Sequence, residues 1–193
     1  MRIAIYAFEG VSLFHLAVPQ MVFGEVTRQR LADWESVVFA DQAGTVTTAE
    51  GQQIGPVASP SAAQGADVLV VPSWFDDTRT AGDDVQVLLR EEHERGAVIA
   101  GLCLGALPVA DAGLLDGRSA VTHWQAVDLL AERRPEVTVD GTVLYIDHGD
   151  VITSAGTASG IDACLHLVRT RLGAAAANTV ARSLVVAPHR EGG

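Results

Sequence analysis

The stretch AVIAGLCLGALPVAD, residues 97–111, decides how the rest of the chain is interpreted. It opens with an apolar run that contains Val98 and Ile99, passes through Gly-Leu-Cys-Leu-Gly at 101–105, and continues into helix-forming residues. This order predicts a strand, a tight turn and a helix, with Cys103 on the turn. Glycines two positions either side of a nucleophile let a strand and a helix cross closely and keep the side chain within reach of a substrate.

Cys103 is therefore a candidate nucleophile. At a helix N-terminus the free backbone N–H groups and the helix dipole favour a thiolate, and the N–H of Leu104 is a candidate donor to an oxyanion. The alternative is that the short pentapeptide arises by chance and that Cys103 is a small buried apolar residue. The strand-to-helix context favours the functional thiol.

Composition predicts one globular domain over residues 1–193, since the chain is 48% hydrophobic and 19% charged. Two cysteines, Cys103 and Cys164, without C-x-x-C spacing predict free thiols and no metal or other cofactor. No apolar run is long enough to cross a membrane and no signal-peptide pattern follows Met1, so we expect a cytoplasmic protein. A net charge of −11 argues against direct nucleic-acid binding by this domain.

Strand and helix patterns alternate along the chain. Strands are predicted at 2–8, 34–40, 67–71, 97–103, 137–139, 143–146 and 151–154, with a hairpin at 45–57. Helices are predicted at 15–30, 83–95, from the cysteine turn to about 113, and at 123–134, 161–171 and 174–185. The alternation predicts an α/β fold, a flavodoxin-like three-layer sandwich with a mostly parallel sheet flanked by helices.

Several polar and aromatic side chains follow strands of this sheet. Because the carboxyl ends of parallel strands meet at one edge, His15, Ser73, Trp74 and Thr157 are expected to be neighbours of Cys103. The backbone of Ser73 and Trp74 is then placed to help form an oxyanion hole with Leu104. Thr157 is a candidate ligand contact, and the alternative is that it only caps the next helix.

A cysteine nucleophile needs a partner, and His15 and His123 are the candidate catalytic histidines. For each, a surface or core-edge histidine is an equally open interpretation. Trp74 and Trp124 are predicted to wall an apolar pocket for a small ligand, with core packing as the alternative.

The chain resembles the ThiJ/PfpI superfamily, and within it the amidase-like N-terminal domain of AraC-family transcriptional regulators. The motifs that carry the resemblance lie at 10–23, 70–74, 101–117, 122–124, 153–162 and 180–190. The resemblance implies a reactive cysteine at 103, a homodimer, and a helix-turn-helix domain that would lie beyond residue 193. An acidic residue usually hydrogen-bonds the cysteine in the superfamily, and the matching position here is His15. The Pro-Gly-Gly that commonly supplies a second oxyanion donor is Pro72-Ser73-Trp74 here.

Two functions follow. The first is a ligand-sensing and dimerisation domain of an AraC-type regulator, and the alternative is a stand-alone cysteine-dependent hydratase or amidase similar to isocyanide hydratases. Both predict a small-molecule ligand or substrate.

His15 is expected to influence the cysteine. If His15 takes the thiol proton, its cation would lower the pKa of Cys103 and make it a thiolate at neutral pH.

Overall fold

The structure is a computed structural model that describes residues 1–190. In chain order the elements are β1 (Arg2–Tyr6), α1 (Leu13–Arg28), β2 (Glu35–Phe39), β3 (Gly44–Thr47), β4 (Gln53–Val57), β5 (Val68–Val71), α2 (Asp83–Glu94), β6 (Val98–Leu102), α3 (Ala106–Asp111), β7 (Ser119–Ala120), α4 (Val127–Arg133), β8 (Thr138–Val139), β9 (Tyr145–Asp147), β10 (Val151–Ser154), α5 (Ala158–Leu172) and α6 (Ala174–Leu184). Short 3₁₀ turns lie at Pro60–Ala63, Cys103–Gly105 and Trp124–Ala126.

Six strands form the central sheet in the order β2-β1-β5-β6-β10-β9. All neighbouring pairs are parallel except β10 with β9. Every residue of β5, β6 and β10 is buried, which is why their sequences are continuous apolar or small-residue runs rather than alternating ones. Helices α1, α5 and α6 pack together, and α2 packs against α3. The predicted α/β architecture with a mostly parallel sheet flanked by helices is confirmed.

Two smaller sheets accompany the central one. Strands β3 and β4 form the predicted antiparallel hairpin, and β7 pairs in parallel with β8. The prediction omitted β7, because a two-residue strand carries no periodic pattern. Within residues 1–190, no helix has the length and apolar character needed to cross a membrane.

Helix α5 begins at Ala158, three residues before the predicted start. The small residues there suggested a loop, but they lie in the helix where it approaches α1 closely. A Cβ atom on Gly160 would lie 3.6 Å from a methyl carbon of Val18. The helix predicted to open at His123 differs as well, since a 3₁₀ turn intervenes before α4.

Candidate functional site

Cys103 lies directly after the last residue of β6, on the turn that leads into α3. Its φ angle is 57°, a conformation that non-glycine residues rarely adopt. The glycines on either side of Cys103 allow the end of β6 and the start of α3 to approach each other and β5 closely. A Cβ atom on Gly101 would lie 2.7 Å from the carbonyl oxygen of Gly105, and one on Gly105 would lie 2.1 Å from that of Val71. The hydroxyl of Thr122 donates to the carbonyl oxygen of Cys103 at 3.0 Å and so helps to hold the turn.

The thiol of Cys103 is almost wholly buried, with 4% of the residue exposed. Burial raises its pKa above the ordinary value. The backbone N–H groups of Leu104 and Thr157 and the hydroxyl of Ser73 act in the opposite direction, while the charge of Asp76 adds to the rise in pKa. Desolvation outweighs the donors around the sulfur, and this direction of the pKa favours a neutral thiol over the predicted thiolate.

The loop between β10 and α5 presses against the cysteine. Gly156 has a φ angle of 87°, and a Cβ atom there would lie 2.3 Å from Cβ and 2.5 Å from Sγ of Cys103. Thr157 also has a positive φ angle, 48°, and its N–H donates to the thiol. Its side chain makes no capping hydrogen bond to α5. Thr157 thus occupies the N-cap position of α5 without a side-chain capping bond, and it reaches the site through its backbone.

His15 lies in the first turn of α1, with both ring nitrogens buried and without a hydrogen-bond partner among residues 1–190. Burial lowers its pKa, the charge of His123 lowers it further, and Glu50 and Asp76 act in the opposite direction. A desolvated imidazole is neutral at neutral pH. The expected hydrogen bond from His15 to the thiol is absent from this structure, and His15 supplies no cation beside Cys103.

His123 is half-buried and immediately precedes the 3₁₀ turn before α4. Because its charge affects the pKa of His15, the two histidines face the same region. The neighbouring Trp124 is 73% exposed, and its ring centroid lies 5.8 Å from that of His123. Trp124 therefore neither packs in the core nor encloses a pocket in this structure.

Trp74 is buried in an aromatic cluster. Its ring stacks on Tyr6 with 6.2 Å between centroids and lies 5.6 Å from the ring of Phe8, while Nε1 donates to the carbonyl oxygen of Arg79 at 2.7 Å. The side chain packs in the core and also lines a cleft of about 560 Å³ together with Asp41 and Arg79, a cleft that Trp124 does not line. The N–H groups of Ser73 and Trp74 remain candidates for the oxyanion role.

Two acidic residues near the site were missed by the sequence analysis. The exposed Asp76 lies in the loop after β5 and raises the pKa of both Cys103 and His15. Glu50 accepts a hydrogen bond from the N–H of Leu13 at 3.0 Å, which places a carboxylate at the start of α1. Asp76 follows a predicted strand and was identifiable by position, whereas Glu50 belongs to the hairpin, which is distant in sequence.

Within the described residues, no three His, Cys, Asp or Glu side chains are grouped to hold a metal ion.

Comparisons with known proteins identify the family. The DJ-1/PfpI family model matches residues 1–170. The HTH-type transcriptional regulator CdhR of Pseudomonas aeruginosa is 31% identical over 149 residues, which are 77% of this chain and 44% of CdhR. The isonitrile hydratase of Pseudomonas putida is 30% identical over 145 residues, 74% of this chain and 62% of the hydratase. The matches thus span less than two thirds of either relative.

The fold is likewise shared with solved structures. The crystal structure of an AraC family transcriptional regulator from Pseudomonas putida superimposes with a TM-score of 0.85 at 22% identity, over 95% of this chain and 98% of that one. At this identity the likeness concerns the fold alone. Because the family model covers most of the chain, including the strand, the turn and the helix around Cys103, this protein belongs to the DJ-1/PfpI family.

Proposed function

We propose that the chain is the ligand-sensing and dimerisation domain of an AraC-type transcriptional regulator. The similarity to CdhR over 77% of the chain carries the proposal. In this proposal residues 1–193 are one domain, a helix-turn-helix domain follows it, and the regulator acts in the cytoplasm. The domain itself does not contact DNA, which agrees with its net charge of −11.

The ligand in this proposal is a small molecule that binds beside Cys103 and His15. Support comes from the two ring nitrogens of His15, which are buried without a partner among the described residues. A buried polar group without a hydrogen bond costs about 1–3 kcal/mol, so a ligand that pairs with His15 recovers that free energy on binding. The raised pKa of Cys103 favours a neutral thiol that contacts the ligand without attacking it.

The test combines the gene with a reporter assay. The natural reading frame is expected to continue past codon 193 into a helix-turn-helix, and a stop codon there would refute the proposal. In the full-length regulator, His15→Ala should weaken the response to the inducer about tenfold, which corresponds to a loss of about 1.4 kcal/mol. Cys103→Ala should retain the response, and a response lost only in Cys103→Ala would contradict a sensor with a silent thiol.

Dimerisation in this proposal uses the outer face of α1. Phe14 and Met21 are exposed and lie two turns apart, and Ala17 and Gly24 share that face. The face borders a groove of about 250 Å³ between α1 and the β4 strand. A surface helix normally presents polar residues to water, so this apolar face supports an interface with a second copy of the chain.

A cysteine-dependent hydratase is the second candidate. The similarity to isonitrile hydratase and the N–H donors of Leu104 and Thr157 around the sulfur favour it. In such an enzyme the thiolate attacks an electrophilic carbon and water hydrolyses the adduct. Turnover of isocyanides, amides or α-oxoaldehydes is then expected in the wild type and absent in Cys103→Ala. Turnover that persists in Cys103→Ala would refute this candidate.

A further inference from the structure

Residues 186–190 fold back along α5, from Arg169 near its end to Asp162 near its start. The guanidinium of Arg190 donates to both carboxylate oxygens of Asp162, with 2.9 Å between Nε and Oδ1. The carbonyl oxygen of Arg190 accepts from the hydroxyl of Tyr145 at 3.3 Å, and that of Pro188 accepts from Arg169 at 2.9 Å. Side chains from β9 and α5 therefore hold this segment, which we name the C-terminal strap.

Asp162 is the anchor of the strap. It is 7% exposed, whereas the side chain of Arg190 is about half exposed. A carboxylate stays charged in a buried position only when it is paired, and removal of one partner of a buried pair leaves a charge that the interior does not tolerate. When Arg190 detaches, water must therefore reach the carboxylate of Asp162. Entry of this water loosens the part of α5 around Asp162.

The same end of α5 shapes the cysteine site. Asp162 lies four residues after Ala158, the first residue of the helix, which is about one helical turn. The residues just before Ala158 are Gly156, which contacts Cys103, and Thr157, whose N–H donates to the thiol. A movement of the first turns of α5 thus changes the surroundings of the sulfur.

The strap is not tightly packed against the helix. A cleft of about 300 Å³ lies between them, lined by Ala158, Ile161, Asp162, Val186, Ala187 and Arg190. Val186 packs against the core at the start of the strap, and from Ala187 onward the attachment rests on the polar contacts of Pro188 and Arg190.

We propose that docking of the C-terminal strap on α5, through the pair Arg190–Asp162, is coupled to occupancy of the Cys103 site. This inference rests on the proposed sensor function, since it names the segment that carries the signal out of the domain. Coupling is reciprocal: if a detached strap opens the site, a group bound at Cys103 favours detachment by the same factor. Arg190 and Asp162 are positioning residues in this device.

The first experiment measures alkylation of Cys103 by iodoacetamide in the protein of residues 1–193, with mass spectrometry as the readout. Arg190→Gln and Asp162→Asn are expected to accelerate the reaction at least fivefold, the lower end of typical coupling factors. The double variant should be no faster than either single one, because both remove the same contact. Arg171→Gln, a change near the end of the same helix, is the matched control and should react as the wild type does.

Cys164 serves as an internal control, because it is wholly buried in α5 and its alkylation reports unfolding of the whole helix. In Arg190→Gln, equal acceleration at Cys103 and Cys164 would mean general destabilisation and would overturn the proposal. Asp162→Asn is compared at Cys103 alone, because the charge of Asp162 itself raises the pKa of Cys164. If Asp162→Asn fails to fold, Arg190→Gln and Arg190→Lys decide alone, since Arg190 is exposed. Rates within twofold of the wild type in these variants would also overturn it.

The second experiment tests the reverse direction. Hydrogen exchange of the amides of Val186, Ala187, His189 and Arg190 should be faster after Cys103 is carboxamidomethylated. The same reagent should leave their exchange unchanged in Cys103→Ser. Unchanged exchange in the alkylated wild type would overturn the coupling. Neither experiment needs the natural ligand or a DNA-binding domain. A failed reporter assay would therefore refute the sensor function, and the coupling could still be measured.

Discussion

The thiol of Cys103 combines two opposing influences within one residue. The positive φ angle aims the side chain at the N–H groups of Leu104 and Thr157, which favour a thiolate, yet burial raises the pKa above that of a free cysteine. The folded state therefore binds the thiol proton more tightly than the unfolded state does. The resulting contribution to stability is present below the ordinary thiol pKa of about 8.5 and is lost as the pH rises through the folded-state value.

This balance predicts the pH profile of alkylation. Because only the thiolate reacts, the midpoint for Cys103 should lie above that of a free cysteine. Ser73→Ala should move the midpoint higher still, since it removes a hydroxyl that stabilises the thiolate. Ser36→Ala, an exposed change on β2, is the control. A stopped-flow or mass-spectrometric rate series over about pH 6–11, which brackets the ordinary thiol pKa, measures this midpoint.

His15 marks the limit of prediction at this scale. The sequence places it near Cys103, but its ionisation depends on burial and on the charges of His123, Glu50 and Asp76, which come from distant parts of the chain. In the same rate series, His15→Ala should not raise the midpoint, because a neutral imidazole contributes no positive charge beside the sulfur. A higher midpoint in His15→Ala would restore the interpretation of His15 as a cationic partner.

At the level of elements, the strands were predictable and the junctions between elements were only partly so. The buried strands β5 and β6 are continuous apolar runs, and the motif G-x-C-x-G predicts the turn after β6. The loop before α5 has no comparable signal, since its shape depends on contact between Gly156 and Cys103, which is 53 positions earlier in the chain. The early start of α5 also depends on a contact between distant parts of the chain, because the small residues there face α1.

The junction between β10 and α5 yields a second prediction. Gly156→Ala should lower the free energy of unfolding by about 2–5 kcal/mol, as the sum of a positive-φ penalty and an overpacking penalty. Gly149→Ala is a matched control, because Gly149 has the same φ angle of 87° and a Cβ there would meet no atom within 4 Å. Urea denaturation of both variants measures the difference, and equal losses would show that contact with Cys103 is unimportant.

At the level of the whole molecule, the alternation of strands and helices predicts a mostly parallel sheet. The order of its strands and the partner of an exposed surface do not follow from that alternation. The net charge of −11 makes two copies repel one another, so association requires an apolar contact that outweighs the repulsion. The outer face of α1 offers such a contact, with Met21 50% exposed.

The last prediction concerns this face. The wild type should sediment as a dimer, more so at high salt, because salt screens the repulsion between acidic copies. Met21→Glu should weaken dimerisation at least tenfold, since it places a charge in an apolar interface, which costs more than about 1.4 kcal/mol. Val87→Glu introduces the same charge at an exposed apolar position on α2, 42% exposed, and should leave the dimer intact. Sedimentation equilibrium of the three proteins measures this. A wild type that stays monomeric at high concentration would refute the proposed interface. Equal disruption by both variants would show that added charge, and not the face of α1, controls association.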